Sequence, residues 1–200
     1  MALSSCTDLH PEEKDWLLRL ARESIRDELV PGSAVAAPLP DVCRALHEQR
    51  AVFVTLKRQG RLRGCIGSLE ATLRLPEAVV EASVSAALRD PRFPPLAAAE
   101  LDEVSIEISV LSAMQPIDVD SHEALLASLR PGKDGLLLED GARRATFLPQ
   151  VWAQLPDAEQ FLAQLLAKAG LPPGHWSPGL HCYRYEAAAM VEVRPAEFSG

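Results

Sequence analysis

Residues 51–67 read A-V-F-V-T-L-K-R-Q-G-R-L-R-G-C-I-G, and the repeat of their apolar positions decides the fold class. Val52, Val54 and Leu56 alternate with more polar neighbours, K-R-Q-G interrupts, and Leu62, Gly64 and Ile66 alternate again. A period of two sends successive side chains to opposite faces of a strand, so the stretch reads as a β-hairpin with one face toward a core. If Arg58, Gln59 and Gly60 form a three-residue turn with Gly60 left-handed, Lys57 falls opposite Arg61, Thr55 opposite Arg63 and Phe53 opposite Cys65.

The flanking segments have helical period. Pro11, the acidic Glu12 and Glu13, and apolar Trp16, Leu17, Leu20, Ala21, Ile25 and Leu29 predict a one-sided helix over 11–29. Residues 31–40 form a proline-rich connection, and Asp41 can cap a short helix carrying Val42, Ala45 and Leu46. Pro76 opens a helix over 77–88 that D-P-R-F-P-P (90–95) must end, because proline disfavours helix before it. V-S-I-E-I-S-V-L (104–111) alternates as a third strand, and a helix is expected near 121–130. A second hairpin joins G-L-L-L-E (135–139) to R-R-A-T-F-L-P (143–149) through a D-G turn. Asp157 caps a helix that Gly170 stops, and a final strand is expected over roughly 182–193. Helices mix with hairpins in no βαβ rhythm, so the class is α+β, mostly antiparallel hairpins packed with helices.

A chain of 200 residues, 48% hydrophobic, can bury a sizeable core as one domain or as two lobes sharing a core, with the ordered part over about 11–193. The net charge of −8 argues against a surface that coats nucleic acid, so any anion site has to be local. No apolar run reaches the roughly 20 residues that span a bilayer, and a cytoplasmic protein without a membrane partner is expected. Cys6, Cys43, Cys65 and Cys182 are scattered, which fits free thiols better than a zinc site or a disulfide framework. His10, His47, His122, His175 and His181 show no ligand spacing, and no metal or cofactor is expected. His175, Trp176, His181, Cys182 and Tyr183 fall in a stretch rich in glycine and proline, readable as an aromatic clamp or as ordinary loop residues.

On strict alternation Arg61, Arg63, Cys65 and Gly67 share one face of the second strand. Cations beside a thiol stabilise the thiolate, and the same cations hold an anionic substrate. Gly64 and Gly67 mark either a bent strand or a backbone that another group approaches closely. Glu107 stands with Ser105 and Ser109 on the polar face of the third strand and could serve as an acid/base group. Each feature also has a plainer reading. A cysteine in a strand is commonly a small buried hydrophobe, basic residues at a hairpin are commonly solvated edge charges, and D-P-R-F can end a helix with Phe93 in the core and Arg92 paired to an acid.

Taken in order, A-V-F-V-T-L, L-R-G-C-I-G, A-A-L-R-D-P-R-F-P-P-L, E-L-D-E-V-S-I-E-I-S-V-L and G-L-L-L-E-D-G-A-R-R-A-T-F-L-P-Q-V-W resemble the AMMECR family, also known as AmmeMemoRadiSam system protein A. The resemblance spans most of residues 12–190. It implies a single AMMECR-type domain with a larger and a smaller lobe, and it marks Arg63, Gly64, Cys65, Ile66 and Gly67 as the signature, with Asp90, Arg92 and Phe93 in a second motif and Glu107 in a third. It also implies company with a Memo-type protein, similar to non-haem-iron extradiol dioxygenases, and with a radical-SAM protein. The family often carries a threonine and an aromatic after L-R-G-C-I-G, where this chain has Ser68 and Leu69.

Three functions follow as expectations. In the first, Cys65 is a thiolate nucleophile or acid/base group, Glu107 or Asp90 moves a proton, and Arg61, Arg63, Gly64, Gly67, Arg92 and Phe93 bind an anionic small molecule. The second is a non-catalytic partner of the two system proteins. The third, which the charge balance disfavours, is nucleic-acid binding through the basic 57–63 stretch.

Overall fold

The computed structural model describes residues 9–32 and 45–192. Its elements in chain order are α1 (Pro11–Leu29), β1 (Val52–Arg58), β2 (Arg61–Gly67), α2 (Leu75–Leu88), β3 (Val104–Leu111), β4 (Gln115–Pro116), α3 (His122–Ser128), β5 (Gly135–Asp140), β6 (Arg143–Phe147), α4 (Ala158–Lys168), β7 (Leu180–Tyr185) and β8 (Ala187–Val191). The class is α+β, as the mixed periods imply. Of the short helix expected after Asp41, residues 41–44 lie outside the described residues, and Ala45–His47 make a single 3₁₀ turn.

The strands form two four-stranded sheets, β2-β1-β3-β8 and β4-β7-β5-β6. Correspondingly the chain divides into two compact units, one running to Leu111 and resuming at Ala188, the other spanning Ser112–Ala187. The single strand expected over 182–193 is in fact two. β7 pairs with β5 through Gly135↔Tyr185, and β8 joins the other sheet beside β3. Between them Glu186 exchanges hydrogen bonds with Ser112: its amide donates to Ser112 Oγ at 2.9 Å and its carbonyl accepts from the Ser112 amide at 2.8 Å.

In the first unit α1 and α2 cover one face of the sheet. Trp16, Leu17, Ala21 and Ile25 of α1 and Val79, Ala82 and Ala86 of α2 join Val54, Leu56, Ile106 and Ile108 in one buried cluster. Arg22 is buried within it, with Nε donating to Glu192 Oε1 at 2.6 Å and its other nitrogens to the carbonyls of Leu101 and Val104. Every nitrogen of the buried guanidinium thus has a partner, and Glu192 offsets its charge, which is the condition for a charge inside a core.

The second unit has its own cluster, in which the rings of Trp152 and Phe161 stack at 3.8 Å between centroids and Leu162, Leu165 and Leu166 of α4 close over β5. Asp134 is buried and accepts hydrogen bonds from Arg130, while its carbonyl takes the Trp152 indole N–H at 2.7 Å.

Candidate functional site

The first hairpin departs from its expected register in two ways. Its turn has two residues, Gln59 (φ 50°) and Gly60 (φ 73°), so Arg58 faces Arg61. Positive φ at both central positions is the twist that suits a tight hairpin. A bulge then follows: Lys57 faces Leu62, Leu56 faces Gly64, and Arg63 is the extra residue between them. One inserted residue reverses the alternation before it relative to the alternation after it. The expected pairs Lys57–Arg61, Thr55–Arg63 and Phe53–Cys65 are therefore replaced by Arg58–Arg61, Thr55–Cys65 and Phe53–Gly67.

This moves the arginines. Cross-strand partners share a face, so Cys65 lies beside Thr55 and, one strand further, Glu107. Arg61 belongs with Arg58 on the other side and is exposed, with no ion pair among the described residues. Arg63 turns away as well. Its Nη2 lies 3.0 Å from Glu100 Oε2, its Nη1 donates to the Pro94 carbonyl at 3.0 Å, and its side chain is only 11% exposed. Arg63 holds the Glu100 carboxyl down at about 2, helped by the Ala97 amide and opposed by burial. The expectation that Arg61 and Arg63 flank the thiol is thus corrected by the bulge.

The glycines are spent on the chain itself. A Cβ at Gly64 would lie 2.1 Å from the Ala86 carbonyl oxygen, so α2 rests directly on the β2 backbone there. At Gly67 it would lie 2.5 Å from Cα and from ring carbon Cγ of Phe53, the cross-strand partner. The close approach expected at both glycines is real, and the approaching groups are the α2 backbone at Gly64 and the β1 backbone with the Phe53 ring at Gly67.

Arg92 is the cation that does reach Cys65, through a brace built by D-P-R-F at the end of α2. β2 is the outer strand of its sheet, and an outer strand leaves alternate N–H and C=O groups unpaired. The Cys65 amide donates to Asp90 Oδ2 at 2.8 Å, and Arg92 Nη2 donates to the Cys65 carbonyl at 3.1 Å. Arg92 closes the ring on Asp90 through Nε (2.9 Å), Nη2 (2.7 Å) and its own amide (3.1 Å). A carboxylate and a guanidinium thereby stand in for the missing neighbouring strand.

The brace fixes charge states as well. The Arg92 guanidinium holds the buried Asp90 carboxyl far below the usual carboxylate range, against burial and with help from the Cys65 and Arg92 amides. Conversely the Asp90 carboxylate raises the Arg92 guanidinium against burial, and the Cys65 side chain adds to the rise. Asp90, expected as a possible proton carrier, is held in its anionic form by these contacts and positions strand and arginine. Arg92 remains 55% exposed, with its guanidinium 5.6 Å from the centre of the Phe93 ring. Phe93 supports that cation edge of the site.

Cys65 itself is half-buried, and its sulfur accepts a hydrogen bond from Thr55 Oγ1 at 3.3 Å. Glu107, on the far side of Thr55, holds Lys57 Nζ at 2.7 Å. Thr55 was not singled out in the sequence, because only the register shows which cross-strand residue meets the thiol. The other described cysteine, Cys182, is 4% exposed in β7, and burial pushes its thiol up to about 11. His181, Cys182 and Tyr183 form part of that strand and not of a loop clamp. His175 is separately tied to Asp140, which also accepts from Ser177 Oγ at 3.0 Å.

Among the described residues no cluster of three His, Cys, Asp or Glu side chains could hold a metal ion, and no helix is long and apolar enough to cross a membrane.

Relatives match this chain nearly end to end. A protein of Methanothermobacter thermautotrophicus is 42% identical over 92% of this chain and 96% of its own, and Protein MJ0810 of Methanocaldococcus jannaschii is 40% identical over 92% of each. The crystal structure of the uncharacterised protein PH0010 from Pyrococcus horikoshii superposes with a TM-score of 0.84 at 36% identity, covering 94% of this chain and 95% of that one. The AMMECR1 family model matches residues 18–190, and the chain belongs to the AMMECR1 family.

Proposed function

We propose that the protein is a cytoplasmic enzyme in which the Cys65 thiol acts as a nucleophile on a small anionic substrate, on the face shared by β2, β1 and β3. The observation that carries this reading is the surroundings of the half-buried Cys65: Thr55 Oγ1 donates to its sulfur at 3.3 Å, and the exposed Arg92 guanidinium donates to its backbone carbonyl at 3.1 Å. An exposed guanidinium beside a cysteine attracts an anionic substrate. Glu107, paired with Lys57, is the carboxylate on this face and takes the proton-transfer role in this reading. In this reading the reaction runs in company with a Memo-type and a radical-SAM protein, as the family resemblance suggests.

The charge of the alkylating probe tests this. Iodoacetate carries a carboxylate and iodoacetamide does not, so Cys65 is expected to prefer iodoacetate by a margin that shrinks in Arg92→Gln. A Cys65 that reacts no faster than a model thiol, or whose preference survives that change, ends the anionic-substrate reading.

The saturation of Asp90 favours a second reading, a non-catalytic partner of the same system proteins. In that case Cys65→Ser keeps function, while Arg92→Ala abolishes complex formation in a pull-down. For nucleic-acid binding the 57–63 stretch offers less free charge than its sequence suggests, because Lys57 is paired with Glu107, Arg58 with Glu100 and Glu103, and Arg63 with Glu100, which leaves the exposed Arg61.

A further inference from the structure

The signature strand has a second side. Behind it a cleft of about 190 Å³ opens between the C-terminal end of β2 and α2, wholly within the first unit. Its walls include Ile66 and Gly67 on the strand and Ala78, Glu81, Ala82 and Ser85 on the helix. The helix positions follow an i, i+3, i+4, i+7 pattern, so one stripe of α2 forms an entire wall. The small residues Ala78 and Ala82 leave the gap, and Ile66 makes part of its surface apolar. At 190 Å³ it is smaller than the roughly 300–1,000 Å³ of drug-sized sites and suits a compact metabolite.

The polar groups choose the ligand. Neither the Glu81 carboxylate nor the Ser85 hydroxyl has a side-chain partner among the described residues, and they stand one helical turn apart on the cleft wall. An ionised carboxylate only accepts hydrogen bonds, and a hydroxyl accepts readily. Arg50, the lining cation, is held by Glu48 with Nη2 to Oε2 at 2.6 Å, so an anion entering here would meet a compensated arginine and the Glu81 carboxylate. A ligand with several N–H donors on a positive head and a short hydrocarbon body meets acceptors and apolar wall together.

We propose that this cleft binds a small primary ammonium compound, with its ammonium group on Glu81 and Ser85 and its hydrocarbon body against Ile66 and Ala82. The proposal is independent of the chemistry assigned to Cys65.

The test is a titration of the ¹⁵N-labelled full chain with n-butylammonium, followed by amide chemical shifts, with butyrate as the anion of matching size. The expected result is saturable shifts at residues 66–68 and 78–85 with n-butylammonium and none with butyrate. Glu81 is exposed, so Glu81→Gln preserves the fold, which the same spectrum verifies, and it is expected to weaken binding about tenfold. Butyrate binding equal to or tighter than n-butylammonium, shifts that do not saturate, or an affinity unchanged in Glu81→Gln each overturn the proposal.

Discussion

Cys65 and Cys182 each sit in a strand of a four-stranded sheet, yet one is half-buried and the other fills a core. Cys182 lies in β7, between β4 and β5, opposite Leu138, where burial alone sets its chemistry. Cys65 lies in the outer strand of its sheet, where one row of backbone groups has no neighbouring strand. The first unit fills that deficit with charged side chains, and the Arg92 that completes the brace donates to the Cys65 carbonyl. An edge that would otherwise be a pairing hazard thereby becomes a place where a cysteine, a cation and solvent meet. Strand position, more than residue type, separates the two thiols.

The largest expected effect tests that contrast directly. Burial moves Cys182 from 9.0 to about 11, two units, which lowers its thiolate fraction at neutral pH about a hundredfold relative to an ordinary thiol. In a Cys6→Ser, Cys43→Ser background, peptide mapping after iodoacetamide should find Cys65 labelled long before Cys182. Comparable labelling of the two in the folded chain would break the comparison.

A second change attacks the support beneath Cys65. Gly64→Ala drives a methyl group to 2.1 Å from the Ala86 carbonyl, so α2 must shift on β2 at a cost of about 1–3 kcal/mol, read by urea denaturation. Because α2 ends in the Asp90–Arg92 brace, Cys65 labelling should change with it. An unaltered stability would show that the helix does not rest on the strand at this point.

The smallest effect concerns acid. Glu100 has a folded pKa of about 2 against an ordinary 4.5, so its contribution is complete above the ordinary value and is lost as the pH falls from about 4.5 toward 2. Asp90 acts in the same direction at still lower pH. Arg63→Ala removes the principal cause of the Glu100 shift and should reduce the drop in urea midpoint between pH 6 and pH 3. A drop of unchanged size would assign the acid sensitivity to other groups.

Much of this was legible along the chain. The alternation in 52–56 and 104–111, the caps at Pro11 and Asp157, and the stops at D-P-R-F and Gly170 placed helices and strands close to where they stand, because these signals act over a few residues. Cys65, Arg92 and Glu107 were singled out, and they are the groups around which the proposed site is built. The faces were not legible. Strand alternation carries across a hairpin only if no residue is inserted, and the bulge at Arg63 returned Arg61 and Arg63 to the other side. Nor could the brace be read, since Asp90 meets the Cys65 amide across 25 residues of sequence.

The sequence by itself determined the α+β class, the hairpin that carries the signature, and the family. Those depend on local periodicity and on motif order. Only the tertiary structure decided which cation meets the Cys65 backbone, that Gly64 makes room for a helix and Gly67 for β1 and its Phe53 ring, and that Asp90 braces the outer strand. These are matters of cross-strand register and of contacts between distant segments, and a single inserted residue is enough to reverse them.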